Sequence, residues 1–150
     1  MALAVTCCVA WLAPATARAE RATIGPHLGI NFDADRLLLG GESRIDLGNA
    51  GPNVIVQLNP SLSYYFREHE HVFNLSLNVP FEFVVQGSVL RPFAAPGLAL
   101  FFGDRDAHLR LNLIGGLLFH LEVVEPFVEI RAAVIDGSTV DLIGGALFRI

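Results

Sequence analysis

Thr139-Val-Asp-Leu-Ile-Gly-Gly-Ala-Leu-Phe-Arg-Ile150 closes the chain and decides the reading of its fold. Every second residue, Val140, Leu142, Gly144, Ala146, Phe148 and Ile150, is uncharged. The alternate set, Thr139, Asp141, Ile143, Gly145, Leu147 and Arg149, holds both charges. Successive side chains of a strand point to opposite faces, so this period of two predicts a β-strand with one apolar and one mixed face.

The same period runs back through the chain. It predicts seven more strands, over about 22–32, 36–47, 54–66, 72–84, 89–102, 108–122 and 126–135. The clearest is 72–84, where Phe73, Leu75, Leu77, Val79, Phe81 and Phe83 alternate with Asn74, Ser76, Asn78, Pro80 and Glu82. Placing Arg91 on the mixed face sets the register of 89–102. Pro60 removes a ladder donor within 54–66, so a bulge is expected there. Turn residues separate the runs: 33–35, 48–53, 67–71, 86–88 and 103–107, with Asp136-Gly137 as a tight hairpin turn.

Composition narrows what such strands can build. Of the 150 residues 53% are hydrophobic and 17% charged, with a mean hydropathy of +0.51, a balance that points to a membrane. A spanning helix needs roughly 20 mostly apolar residues. No stretch after residue 19 supplies them: 47–66 is uncharged but holds two prolines, three asparagines and a glutamine. A closed barrel also satisfies every backbone group in lipid. Eight alternating runs of membrane-spanning length with short connections therefore predict an all-β, eight-stranded antiparallel up-and-down barrel. The net charge of −5 opposes nucleic-acid binding, which needs clustered cations; all ten basic residues are Arg.

Residues 1–19 form an apolar run ending in Ala17-Arg-Ala19, the small-x-small pattern of a secretory signal. Cleavage there leaves a barrel domain at 20–150 with nine Arg, fifteen acidic residues and no cysteine, since Cys7 and Cys8 are removed. A lipoprotein reading at Cys7 has the apolar run on the wrong side of the cysteine.

A terminal strand with an aromatic near its end, the Gly pairs at 115–116 and 144–145 and the signal-like start together resemble OmpA/OmpX-type eight-stranded outer-membrane barrels. The resemblance implies a bacterial outer-membrane location, with membrane lipids and the barrel-assembly machinery as partners and a monomeric state. It also implies an insertion signal in Leu142, Gly144, Ala146, Phe148 and Ile150. Members often carry receptor or adhesin activity on long outer loops; the loops here are short.

The mixed faces collect Glu42, Arg44, Glu82, Arg91, Arg110, Glu122, Glu129, Arg131, Asp141 and Arg149. Inside a small barrel they would form an ion-pair network filling the lumen, since buried charges need partners; a narrow solute channel is the sharper alternative. His69-Glu-His71 offers two metal ligands without a third and reads as a solvated turn. His120 and Glu122 share a face, but no serine lies beside them to complete a lipid-hydrolysing site. The expectation is therefore a non-enzymatic protein without cofactor or metal, having a structural or interaction role. A soluble lipocalin-type lipid binder, with apolar residues inside and polar ones outside, is the other alternative.

Overall fold

The computed structural model describes residues 21–103, 106–135 and 137–150, apart from the side chain of Arg67. The expected signal segment and its cleavage site lie outside the described residues. Among the described residues nine strands follow one another: β1 (Ala22–Asn31), β2 (Arg36–Gly51), β3 (Val54–Arg67), β4 (Glu70–Asn78), β5 (Phe81–Phe83), β6 (Leu90–Phe102), β7 (Ala107–Phe119), β8 (Val124–Val134) and β9 (Thr139–Arg149). All pairings are antiparallel. The order β2-β1-β9-β8-β7-β6-β4-β3 is closed by a β2–β3 ladder, and β5 bridges β3 and β6. Nine segments thus make an eight-stranded barrel, because β4 and β5 are two parts of one strand.

The break between them falls at Val79-Pro80. It leaves the register unchanged, since Asn59 faces Asn78 and Val54 faces Phe83 in one continuous ladder frame. Hydrogen bonds bridge the gap: Val79 N donates to Pro96 O and Gln57 N to the Pro80 carbonyl, both at 2.9 Å. Proline withdraws its own donor but keeps its acceptor, so the strand loses pairing locally without slipping.

Three expectations about local structure are corrected. Pro60 carries no bulge: it faces Leu77, and the β2–β3 frame is the same on both sides of it. The irregularities lie instead in β2, between Asp46 and Gly48 and between Asn49 and Gly51. There residues expected to form a long turn extend the strand to a connection at Pro52 and Asn53. The Asp136-Gly137 hairpin is also wider than two residues. Ile135 has φ 76° and leaves the ladder, so the connection spans 135–138.

The faces follow the alternation. Leu28, Ile30, Leu37, Leu39, Leu75, Leu77, Leu113 and Ile130 are among the large apolar side chains exposed on the outer surface. Inside, nineteen polar or charged residues and twelve hydrophobic ones are buried among the described residues. Aromatic and aliphatic side chains such as Leu38, Phe93, Phe127, Ile143 and Leu147 pack between the polar groups.

Candidate functional site: the lumen and its two mouths

Three layers of side chains fill the barrel. The first lies at the end that holds Arg21 and Ile150. Arg21 donates to Glu82 at 2.8 Å and to Glu125 at 3.2 Å, and lies 3.6 Å from Asp46. Arg91 donates to the other Glu82 oxygen at 2.6 Å. Gln57 spans Asp46 and Glu82, both at 2.8 Å. His120, in the β7–β8 connection, sets Nδ1 2.9 Å from Arg21 and 2.7 Å from Glu125. That nitrogen can accept from the guanidinium or, when protonated, donate to the carboxylate, but not both at once. Burial and the nearby Arg91 hold the His120 pKa below the ordinary imidazole value, against the opposing pull of Glu125.

The middle layer comes from one short pattern used twice. Glu42-x-Arg44 on β2 and Glu129-x-Arg131 on β8 each put an acid and a base on the inner face, two residues apart. Arg44 donates to Glu42 at 3.1 Å and to Glu129 at 3.5 Å; Arg131 donates to Glu129 at 2.6 Å and lies 3.8 Å from Glu42. The Arg44 guanidinium is also 4.1 Å from the Phe93 ring centroid and 5.2 Å from that of Phe127. All four charged side chains are buried.

Beside this quartet, His27 Nε2 and Ser63 Oγ are hydrogen-bonded at 2.9 Å, while His27 Nδ1 lies 3.5 Å from Glu42. The order Ser-His-Glu is that of a hydrolytic nucleophile with its base and orienting acid. Here the group is sealed: both Ser63 and His27 are 1% exposed, and Gly40 packs against the ring. The arrangement has no approach for a substrate, and its geometry is that of polar groups satisfying one another in a packed interior.

Amides cross the barrel wall from the same layer. Asn59 donates to Glu42 at 3.2 Å, Asn78 to Asn59 at 3.1 Å and Asn112 to Asn78 at 3.2 Å. Asn78 and Asn112 belong to β4 and β7, with Gly97 of β6 between them in the ladder. A Cβ on Gly97 would come within 2.2 Å of the Asn78 amide oxygen, so glycine here makes room for the two amides to meet.

The third layer lies at the opposite end. Tyr65 OH and Asn31 Nδ2 each donate to Asp141, both at 2.6 Å, using its two oxygens. Above them the barrel opens into a cavity of about 670 Å³ bounded by the connecting turns. Arg110 stands in its wall, with its guanidinium 4.8 Å from the Phe101 ring centroid.

The ten residues expected in one network therefore divide. Glu42, Arg44, Glu129 and Arg131 meet at mid-barrel, and Glu82 pairs with Arg91 at the terminal end. Arg149 sits at the terminal rim, its side chain 45% exposed and 3.6 Å from Glu125. Asp141 is held by neutral donors, and Arg110 stacks on an aromatic ring at the far mouth. Glu122 is outside the lumen: β7 ends at Phe119, the alternation stops, and Glu122 is exposed in the bend that follows. Glu125 takes the inward place instead. It is in phase with Phe127, Glu129 and Arg131, and an earlier start for that strand would have found it. Arg21, in phase with Thr23, was missed for the same reason at β1. In the terminal strand, Leu142, Phe148 and Ile150 are exposed on the outer face, with Gly144 and Ala146 half-buried between them. His69 and His71 are exposed at the β3–β4 turn, where Tyr64 OH and His71 Nδ1 lie 2.7 Å apart; among the described residues no cluster of three metal-ligating side chains occurs.

The architecture is that of the eight-stranded outer-membrane barrels. The N-terminal β-barrel domain of Pseudomonas aeruginosa OprF superposes with a TM-score of 0.71 at 20% identity, over 87% of this chain and 97% of that one. Neisserial surface protein A (NspA) matches with a TM-score of 0.55 at 11% identity, over 87% and 96%. Ail, the attachment invasion locus protein of Yersinia pestis, gives 0.55 at 14%, over 87% and 97%. At these identities the likeness is one of fold. No protein-family profile matches the sequence, and no curated protein matches it.

Proposed function

We propose that this chain is a monomeric, non-enzymatic protein of the bacterial outer membrane, with a lumen closed by its own side chains and a structural or interaction role. The observation that carries the reading is the inside-out distribution of polarity. Charged and amide side chains are buried in the barrel, while a broad band of Leu, Ile, Val and Phe faces outward. Water would penalise that outer surface, whereas acyl chains solvate it. A lipocalin-type soluble barrel requires the reverse. The packed Arg44, Arg131, Phe93 and Phe127 layer argues against a conducting pore.

In this reading, outer-membrane lipids surround the apolar band. The barrel-assembly machinery engages the terminal strand through Leu142, Gly144, Ala146, Phe148 and Ile150. Interaction would take place at the turns remote from Arg21 and Ile150. Ail has been solved with the heparin analogue sucrose octasulfate. Here the four connections 32–36, 67–71, 103–107 and 135–138 contain seven acidic residues against three Arg, a balance that disfavours a polysulfated ligand.

The test is refolding of residues 20–150 with and without detergent. The expected result is a β-type circular dichroism spectrum and a gel mobility that differs between boiled and unboiled samples, both dependent on detergent or lipid. A monodisperse β protein in plain buffer would refute the membrane reading. Steady single-channel conductance in planar bilayers would refute the closed lumen.

A further inference from the structure

We infer that the cavity at the end of the barrel remote from Arg21 and Ile150 is a binding site for a small ligand that joins one anionic group to a flat apolar body. Its volume of about 670 Å³ falls within the range of sites that enclose small molecules.

The chemistry of its lining selects the ligand. The floor is aromatic: Tyr65 and Phe101 are buried, with ring centroids 6.0 Å apart and planes inclined by 43°. Its polar atoms are already committed. The Tyr65 hydroxyl and the Asn31 amide both donate to Asp141, and Asn31 Oδ1 accepts the Ala34 N–H at 3.0 Å. The floor therefore adds no free hydrogen-bonding group, and the small part of each ring that it exposes, 6% of Tyr65 and 9% of Phe101, is apolar.

Arg110 supplies the complementary charge. It lies two residues below His108 on β7, and no ion pair to a described residue engages it. Its guanidinium lies over Phe101 at 4.8 Å, and its Nε is buried without a protein partner. A stacked guanidinium keeps its in-plane N–H groups available to bind a carboxylate. An anion on Arg110 would leave the attached ring against Phe101 and Tyr65.

The rim sets a limit on charge. Asp33 and Asp106 line the upper wall, and the Asp33 carboxylate already accepts the Val140 N–H at 2.6 Å. Glu70, Arg36, His69 and His108 line the same cavity, so its three acids face two Arg, Arg36 and Arg110. That balance opposes multiply charged anions, and a single negative charge that reaches Arg110 fits best.

Benzoate is the minimal probe, titrated into the full barrel in detergent micelles. Binding is followed by calorimetry and by NMR shifts of the Tyr65 and Phe101 rings, with empty micelles as the blank. Benzyl alcohol and benzylamine are the neutral and cationic controls. Saturable benzoate binding is expected. Arg110→Gln should weaken it by roughly ten- to a hundredfold, the loss of a charge-assisted contact, while leaving the heat-dependent gel shift intact. Phe101→Leu should weaken benzoate and benzyl alcohol alike. Absence of saturation, unchanged benzoate affinity in Arg110→Gln, or benzyl alcohol or benzylamine binding as tightly as benzoate would each overturn the assignment. Arg110→Lys, which keeps the charge, covers the case in which Arg110→Gln does not fold. It should retain benzoate selectivity over benzylamine, and its loss would likewise overturn the proposal.

Discussion

Arg131 shows what a buried charge does in this barrel. It reaches Glu129 at 2.6 Å and lies 3.8 Å from Glu42, while Arg44 must otherwise serve both acids. Removing one member leaves a carboxylate buried without sufficient compensation, which typically costs about 3–5 kcal/mol. Arg131→Met should lower unfolding stability by about that amount. Arg131→Met combined with Glu129→Met should recover part of the loss, because the second change removes the orphaned acid. Denaturant titrations of the refolded barrel in lipid vesicles measure both. His120 acts in the opposite sense. Its folded pKa is depressed, so the unfolded chain takes up its proton more readily. The resulting contribution is absent at high pH and becomes destabilising as pH falls through the unfolded value of about 6.5. His120→Gln should flatten the decline in stability between pH 8 and pH 5, read from unfolding midpoints at the two pH values.

At the level of the elements, proline interrupts a ladder without moving its register, whereas the two irregularities near the end of β2 each shift it by one residue. Val79-Pro80 interrupts pairing but not alternation, so Asn74, Ser76, Asn78 and Glu82 all stay inside. The β8–β9 connection contains a more costly irregularity. Ile135 is β-branched, and its φ of 76° is a region that such residues avoid. Its side chain is exposed, so little packing opposes a change. Ile135→Asn tolerates the left-handed backbone and should raise stability by roughly 1 kcal/mol, seen as a higher unfolding midpoint. An unchanged or lower midpoint would show that the turn stores no such strain.

For the whole molecule, the outward apolar band makes a depth-dependent prediction. Leu113 lies near the middle of β7 and Leu109 near its far end, and both are exposed. In a bilayer, an outward Arg costs about 2–4 kcal/mol at the midplane and about 0–1 kcal/mol near an interface. Leu113→Arg should therefore destabilise the vesicle-embedded barrel substantially more than Leu109→Arg, as measured by reversible denaturant unfolding. Equal and small effects at both positions would mean that water, not lipid, covers the band.

The sequence by itself determined the strands, their faces and the barrel, because side-chain direction in a strand depends only on the parity of position. Glu42, Arg44, Glu129 and Arg131 were legible on that ground as residues of the mixed faces, and Leu142 and Phe148 as residues of the apolar one. Which face turns inward was decided by the structure, since a soluble barrel would reverse them. Parity fails where a strand ends, which is why Glu122 was expected inside and Glu125 and Arg21 were passed over. It is also silent on which inward groups meet. That Asn78 joins Asn112 over Gly97, that His27 finds Ser63, and that Arg110 stacks on Phe101 beside a cavity all depend on strand register and barrel closure. These bring together residues far apart in the chain, and only the tertiary structure decided them.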